Sequence, residues 1–213
     1  MEAATVTTAP GHSMGLLAGL HEALVFNRRT KVLSERLAAL LPENARVLDV
    51  GCGNGLIDLL IAERRPDVTI SGVDFIVRTE THIPVTQFDG RRLPFDDGAF
   101  DVVMFVDVLH HTEHPEVLLN EARRVANRAV VLKDHTRDGF LAGPTLRFMD
   151  WVGNAPHGIP LPYNYWPERR WREAFTGLGL TPKVWLNKLG LYAAPANWLF
   201  DRSLHFIARL DPI

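Results

Sequence analysis

The stretch VLDVGCGNG, residues 47–55, constrains this chain more than any other. An apolar run meets glycines at Gly51, Gly53 and Gly55, and a helical pattern follows. Strand, glycine loop and helix together make a nucleotide cradle, because glycine lets the backbone turn tightly and approach a ligand. The spacing argues against a dinucleotide and excludes a P-loop. The dinucleotide fingerprint G-x-G-x-x-G wants glycine where Leu56 stands, and the lysine of a P-loop is absent.

The rest of the chain alternates. Arg46–Val50, Val68–Asp74, Val85–Phe88, Phe100–Val108 and Ala129–Lys133 read as strands, and Asn54–Arg65 and a segment opening at Pro115 read as helices. Leu20 to Leu41 is helical in period, with Leu33, Leu37, Leu40 and Leu41 on one stripe and Pro42 as the stop. Trp171 to Leu178 reads as a further helix, Lys183–Leu186 as a strand, and Leu204–Leu210 as a final half-buried strand. Such alternation implies α/β architecture with a parallel sheet, whose ligands bind beyond the carboxyl ends of the strands. We expect one domain over 1–213. It has a tail at 1–15, a helical cap at 16–42, and an irregular, proline- and aromatic-rich lid over 136–167.

The strand ends carry acids. Asp74 closes the second strand and suits two ribose hydroxyls, Asp89 closes the third and suits an adenine amine, and Asp107 ends the fourth, where a carboxylate or carbonyl suits a cation. Three acids suit a nucleoside carrying an ammonium and a sulfonium better than a pyrophosphate, whose like charges would repel. VLDVGCGNG, GVDF, FDGRRLPFDDGAFDVV and DVLHHTEHPEVLLNEARRV together resemble the class I S-adenosylmethionine-dependent methyltransferases. The likeness runs over about residues 45–135, and is to the small-molecule, type 11 and quinone-biosynthesis branch.

That resemblance implies a Rossmann-like, doubly wound sheet of seven mostly parallel strands with the last one antiparallel. Here the connection between strands 2 and 3 is short, because only Ile76 to Pro84 spans it. It implies that Asp49, Gly51, Gly53 and the neighbouring Cys52 and Asn54 shape the methionine end of an S-adenosylmethionine site. Asp74 then holds the ribose, Phe75 and Ile76 sandwich the adenine, and Asp89 and Gly90 take its edge, with Asp107 near the ammonium.

Methyl transfer needs alignment, exclusion of water and, for a protonated acceptor, a base. His110, His111 and His135 follow the fourth and fifth strands and are the candidate bases, His135 with Asp134 beside it. Phe148, Trp151, Tyr163 and Tyr165 would wall the acceptor, with Asp150, Asn154, His157 and Asn164 orienting it. Asp107, His110, His111, Asp134 and His135 could also converge on a metal, but their spacing is no metal signature and we expect no metal.

Composition sets the remaining limits. A net charge of −2, with scattered arginine doublets read as solvated faces, argues against a nucleic-acid partner. No N-P-P-Y-type signature follows the fourth strand, and Cys52 is the only cysteine, so no intrachain disulfide forms. Without a signal peptide or a spanning run, a cytoplasmic chain is expected. The apolar segment Leu189–Phe206 leaves room for peripheral membrane contact, a homodimer or a partner subunit. The expected activity is methyl transfer, O-methylation ahead of C-methylation, to a small, partly apolar or aromatic molecule. The rivals are a non-catalytic cofactor-binding subunit and an NAD-dependent oxidoreductase.

Overall fold

Seven strands in the order β3-β2-β1-β4-β5-β7-β6 form one sheet. The structure, a computed structural model, describes residues 27–154 and 162–212. The expected tail, the cap up to residue 26, and Pro156, His157 and Pro160 lie outside those residues. In chain order the elements are α1 (Asn27–Ala38), β1 (Arg46–Val50), α2 (Leu56–Arg64), β2 (Thr69–Asp74), β3 (Val85–Gln87), β4 (Phe100–Val106), a 3-10 turn (Leu109–His111), α3 (Pro115–Val125), β5 (Ala126–His135), α4 (Ala142–Asn154), α5 (Glu168–Gly177), β6 (Leu180–Leu186), α6 (Asn197–Phe200) and β7 (His205–Pro212).

β1 through β5 pair in parallel, and β7 runs antiparallel between β5 and β6. β1 and β4 lie at the sheet's centre, so Val47, Leu48, Val50 and Val102 to Phe105 are buried on both faces and read as continuous apolar runs. One apolar layer packs α3 and α5 against the sheet through Leu118, Ala122, Trp171 and Phe175. The other packs α1 through Leu33 and Leu37. Between β2 and β3 there is no helix, as the short connection requires.

Three expectations change. The segment read as irregular holds the thirteen-residue α4, with Pro144 early in the helix, where a missing N–H costs little. β7 is not half-buried but interior, flanked by β5 and β6, so residues 205–208 are all buried. The arginine doublets are not uniformly solvated. Arg65 binds the carbonyls of Ala38 and Leu41, Arg124 binds those of Phe95 and Leu93, and Arg29 pairs with Asp107.

Candidate active site

The glycine loop leaves β1 and enters α2. Gly51, Gly53 and Gly55 all have positive φ (77°, 60° and 74°), where side chains are disfavoured. Space reinforces conformation at two of them. A Cβ on Gly51 would lie 2.6 Å from the Val108 side chain, and one on Gly55 would lie 2.5 Å from Ile83. Gly53 has nothing within 4 Å of that position, so the loop is open there.

Asp74 locks onto this loop. Its Oδ2 accepts from the Gly53 N–H at 2.8 Å, and Oδ1 accepts from the Ile76 N–H at 3.0 Å. Each oxygen keeps a second lone pair. Phe75 and Ile76 are exposed by 61% and 57%, an apolar shelf beside the loop, and a Cβ on Gly90 would touch the Phe75 ring at 3.7 Å. Asp89 is exposed, and its Oδ1 accepts from the backbone N–H groups of Arg92 and Arg91, which holds its carboxyl below the usual range. An open glycine turn, an exposed apolar shelf and two anchored carboxylates at neighbouring strand ends suit a nucleoside with free hydroxyls.

Beneath the loop lies a feature not foreseen from sequence. Asp49 and Asp58 are buried as neighbours, and both oxygens of Asp58 and Oδ1 of Asp49 have no hydrogen-bond donor, a setting that favours the protonated acid. Burial, then the neighbouring carboxyl, pushes Asp49 well up, and burial raises Asp58 to about 6. Burial and the same acids also push the Cys52 thiol up, so it stays neutral and unreactive. Its sulfur packs where a side chain at position 72 would stand, which explains Gly72 on β2.

A second cluster gathers at the carboxyl ends of β4 and β5. Asp107 has a left-handed backbone (φ 59°), a strained state for a non-glycine residue that often marks a functional position. Its carboxylate takes ion pairs from Arg29 and Lys133 and lies 3.3 Å from His135 Nε2. Burial alone would raise this carboxyl, but Lys133 and Arg29 outweigh it and hold it well below normal. The side chain expected to face a cofactor ammonium is therefore already committed to two cations of the chain. Lys133 itself is fully buried, with burial pulling its pKa down, and also donates to His205 Nδ1 at 3.2 Å.

The three candidate histidines differ. His110 sits between carboxylates, Nδ1 2.7 Å from Asp134 and Nε2 3.5 Å from Asp150. Burial opposes its charge, but Asp134 and then Asp150 prevail and raise it to about 10, so without another cation it is an imidazolium and no base. His135 is buried, and burial together with Lys133 and His110 keeps it neutral. Its Nε2 lies 3.3 Å from Asp107, and its Nδ1 is buried without a hydrogen-bond partner. His111 is half-buried, with Nδ1 also unpartnered and its pKa lowered by burial.

Tyr165, buried, donates its hydroxyl to Asp150, and Tyr163 lies nearby under the Arg147 guanidinium. Asn164 is a brace: it donates to the carbonyls of Thr112 and Glu113 and accepts from the Trp166 indole. Phe148 and Trp151 are not brought to this cluster. On α4 the inward face carries Leu146 and Asp150, while Phe148, Trp151 and Val152 form the opposite, exposed stripe. The Asn154 side chain lies outside the described residues.

Comparison with known proteins agrees with this geometry. A family profile described as a methyltransferase domain matches residues 25–183. The chain is 29% identical over 119 residues to 27-O-demethylrifamycin SV methyltransferase of Amycolatopsis mediterranei, covering 49% of this chain and 43% of that protein. It is 34% identical over 110 residues to malonyl-[acyl-carrier protein] O-methyltransferase of Geobacter sulfurreducens, covering 45% and 41%. The matches thus span less than half of these relatives.

Among solved structures, one is the complex between the Haloferax volcanii Trm112 methyltransferase activator and a methyltransferase. The TM-score is 0.68 at 18% identity, over 93% of this chain and 95% of the other. Geranyl diphosphate C-methyltransferase from Streptomyces coelicolor A3(2), solved with S-adenosyl-L-homocysteine, has a TM-score of 0.66 at 16% identity, over 96% and 86%. The glycine loop, the acids at the strand ends, the 3-2-1-4-5-7-6 sheet and the profile match agree, and the chain belongs to the class I S-adenosylmethionine-dependent methyltransferases.

Proposed function

We propose that this chain methylates an oxygen of a small, partly apolar molecule, with His135 as the base. One observation carries the reading: a buried histidine at the carboxyl end of β5, with Nε2 3.3 Å from Asp107, has an Nδ1 without a hydrogen-bond partner, and burial with the neighbouring Lys133 keeps the ring neutral. The names of the two curated relatives, both enzymes acting on oxygen, support the same chemistry. When bound, S-adenosylmethionine supplies an electrophilic methyl group on a sulfonium.

The chain's residues do the rest. Asp74 holds the ribose hydroxyls, Phe75 and Ile76 cover the adenine, and Asp89 and Gly90 meet its edge. Asp49, the backbone of Gly51 to Asn54, and the carbonyl of Asp107 shape the methionine end. Tyr163 lines the acceptor seat, and Tyr165 positions Asp150. His135 takes the acceptor proton as the oxygen attacks in line. Orientation supplies most of the rate, and a base adds about 10²–10⁴-fold.

Incubating the protein with labelled cofactor and a panel of phenols, carboxylic acids and activated carbon acceptors tests this. The expected product is an ether or ester, and His135→Gln lowers kcat about 10²-fold with KM little changed. Methylation only at carbon, or an unchanged kcat for His135→Gln, would overturn it.

A further inference from the structure

Two sets of ligand-type side chains come together among the described residues: Asp107, His110 and His135, and His110, His111 and Asp150, each with ligand atoms within 4.8 Å of one another. The first set is a poor cation site. Asp107 already holds Arg29 and Lys133, and a metal there would sit against two positive charges. The second set has the opposite balance. Asp134 and Asp150 bring two carboxylates to His110, and the ion pairs of these two acids among the described residues are both with that histidine.

The geometry of this second set suits a metal. Asp134 Oδ1 lies 2.7 Å from His110 Nδ1, and the carboxylate is itself anchored by the N–H of His135 on Oδ1 (2.7 Å) and the N–H of Leu109 on Oδ2 (3.1 Å). A carboxylate on one ring nitrogen fixes the tautomer that presents the other to a metal. That other nitrogen, Nε2, is 3.5 Å from Asp150 Oδ2. Ligands about 2.0–2.1 Å from a tetrahedral zinc lie roughly 3.4 Å apart, so the pair needs little movement to share one ion. His111, whose ring centroid lies 4.1 Å from that of His110 with the planes tilted by 41°, supplies a third ligand, and its Nδ1 is buried with no partner.

We propose that His110 Nε2, His111 and Asp150 bind one divalent ion of the zinc class, with Asp134 as the carboxylate that orients His110. Two imidazoles and one carboxylate favour a borderline transition ion over magnesium or calcium. The ion's charge balances Asp134 and Asp150. Asp150 belongs to α4 while the histidines follow β4, so the ion ties the lid helix to the sheet. Its chemical role rests on the O-methylation reading: a coordination position left open polarises the acceptor oxygen, so that even a weak base such as His135 takes the proton.

Metal binding is measured without cofactor or acceptor, so its failure and that of the O-methylation reading are separate results. The full chain, stripped with chelator, is titrated with Zn²⁺ by calorimetry, and with Co²⁺ while the visible band of a tetrahedral site is followed. The expected outcome is one ion per chain, bound at least about 10-fold more weakly by His111→Ala and by Asp150→Asn, and about 10–100-fold more weakly by Asp134→Asn. Circular dichroism checks that each variant is folded. Should a buried-acid variant unfold, half-exposed His111 remains the deciding position. No Zn²⁺ binding by the wild type, or binding that His111→Ala leaves unchanged, as an ion held on exposed His82 or His114 would be, overturns the site.

Discussion

Replacing Asp58 with asparagine should stabilise this protein, and only above mildly acidic pH. Asp58 is fully buried beside Asp49, neither of its oxygens has a hydrogen-bond donor, and burial raises it from 3.8 to about 6. Below pH 3.8 the carboxyl is protonated in both the folded and unfolded chains. Between 3.8 and about 6 the folded chain keeps a proton that the unfolded chain has released, so stability falls as pH rises through this window. At roughly 1.4 kcal/mol per pH unit the loss reaches about 3 kcal/mol above pH 6, an upper figure because the two carboxyls titrate together.

Asparagine keeps the shape, cannot ionise, and can donate its amide hydrogen to Asp49. Asp58→Asn should therefore gain about 2–3 kcal/mol at pH 8 and almost nothing at pH 4. For a chain of this size that raises Tm by about 4–10 °C. Thermal and urea unfolding from pH 4 to 8 reads both the gain and its pH dependence. A variant equally or less stable at pH 8, with the same pH slope as the wild type, would refute the buried-acid account.

Other substitutions follow from the same contacts. Gly51→Ala places a Cβ 2.6 Å from Val108 at φ 77° and should cost about 2–4 kcal/mol of stability, read by urea unfolding. An unchanged midpoint would mean the loop relaxes freely. Asp107→Asn leaves Arg29 and Lys133 without their carboxylate and should cost about 3–5 kcal/mol, whereas a joint change with Lys133→Met should recover part of that loss. Chemical denaturation of the single and double variants separates the two.

Local pattern made the sheet legible. β1 and β4 are short apolar runs, and the acids at the strand ends stand where an α/β fold puts its ligand. The Asp49–Asp58 pair was not legible. An acid in the first turn of α2 reads as a partner for the helix dipole, and only the fold turns it inward beside β1. The Asp107 cluster was half-legible. Asp107 and His135 mark strand ends, but Arg29 lies 78 residues from Asp107 and His205 lies 72 from Lys133, so no spacing could pair them. α4 was hidden because prolines and aromatics surround it. Its stripe of Phe148 and Trp151 suggested an acceptor wall, although the inward face is set by Leu146 and Asp150. No described helix is long and apolar enough to cross a membrane.

Calorimetric titration with S-adenosylmethionine and S-adenosylhomocysteine, on the wild type and on Asp74→Ala, tests the central claim most directly. The ribose contacts through Asp74 are charge-assisted, each contributing about 1.5–3 kcal/mol. The expected result is one site per chain in the wild type, weakened about 10²-fold or more in the variant. Binding of neither compound to the folded wild type, or equal binding by Asp74→Ala, would contradict the assignment of the VLDVGCGNG loop and its strand-end acids to this cofactor.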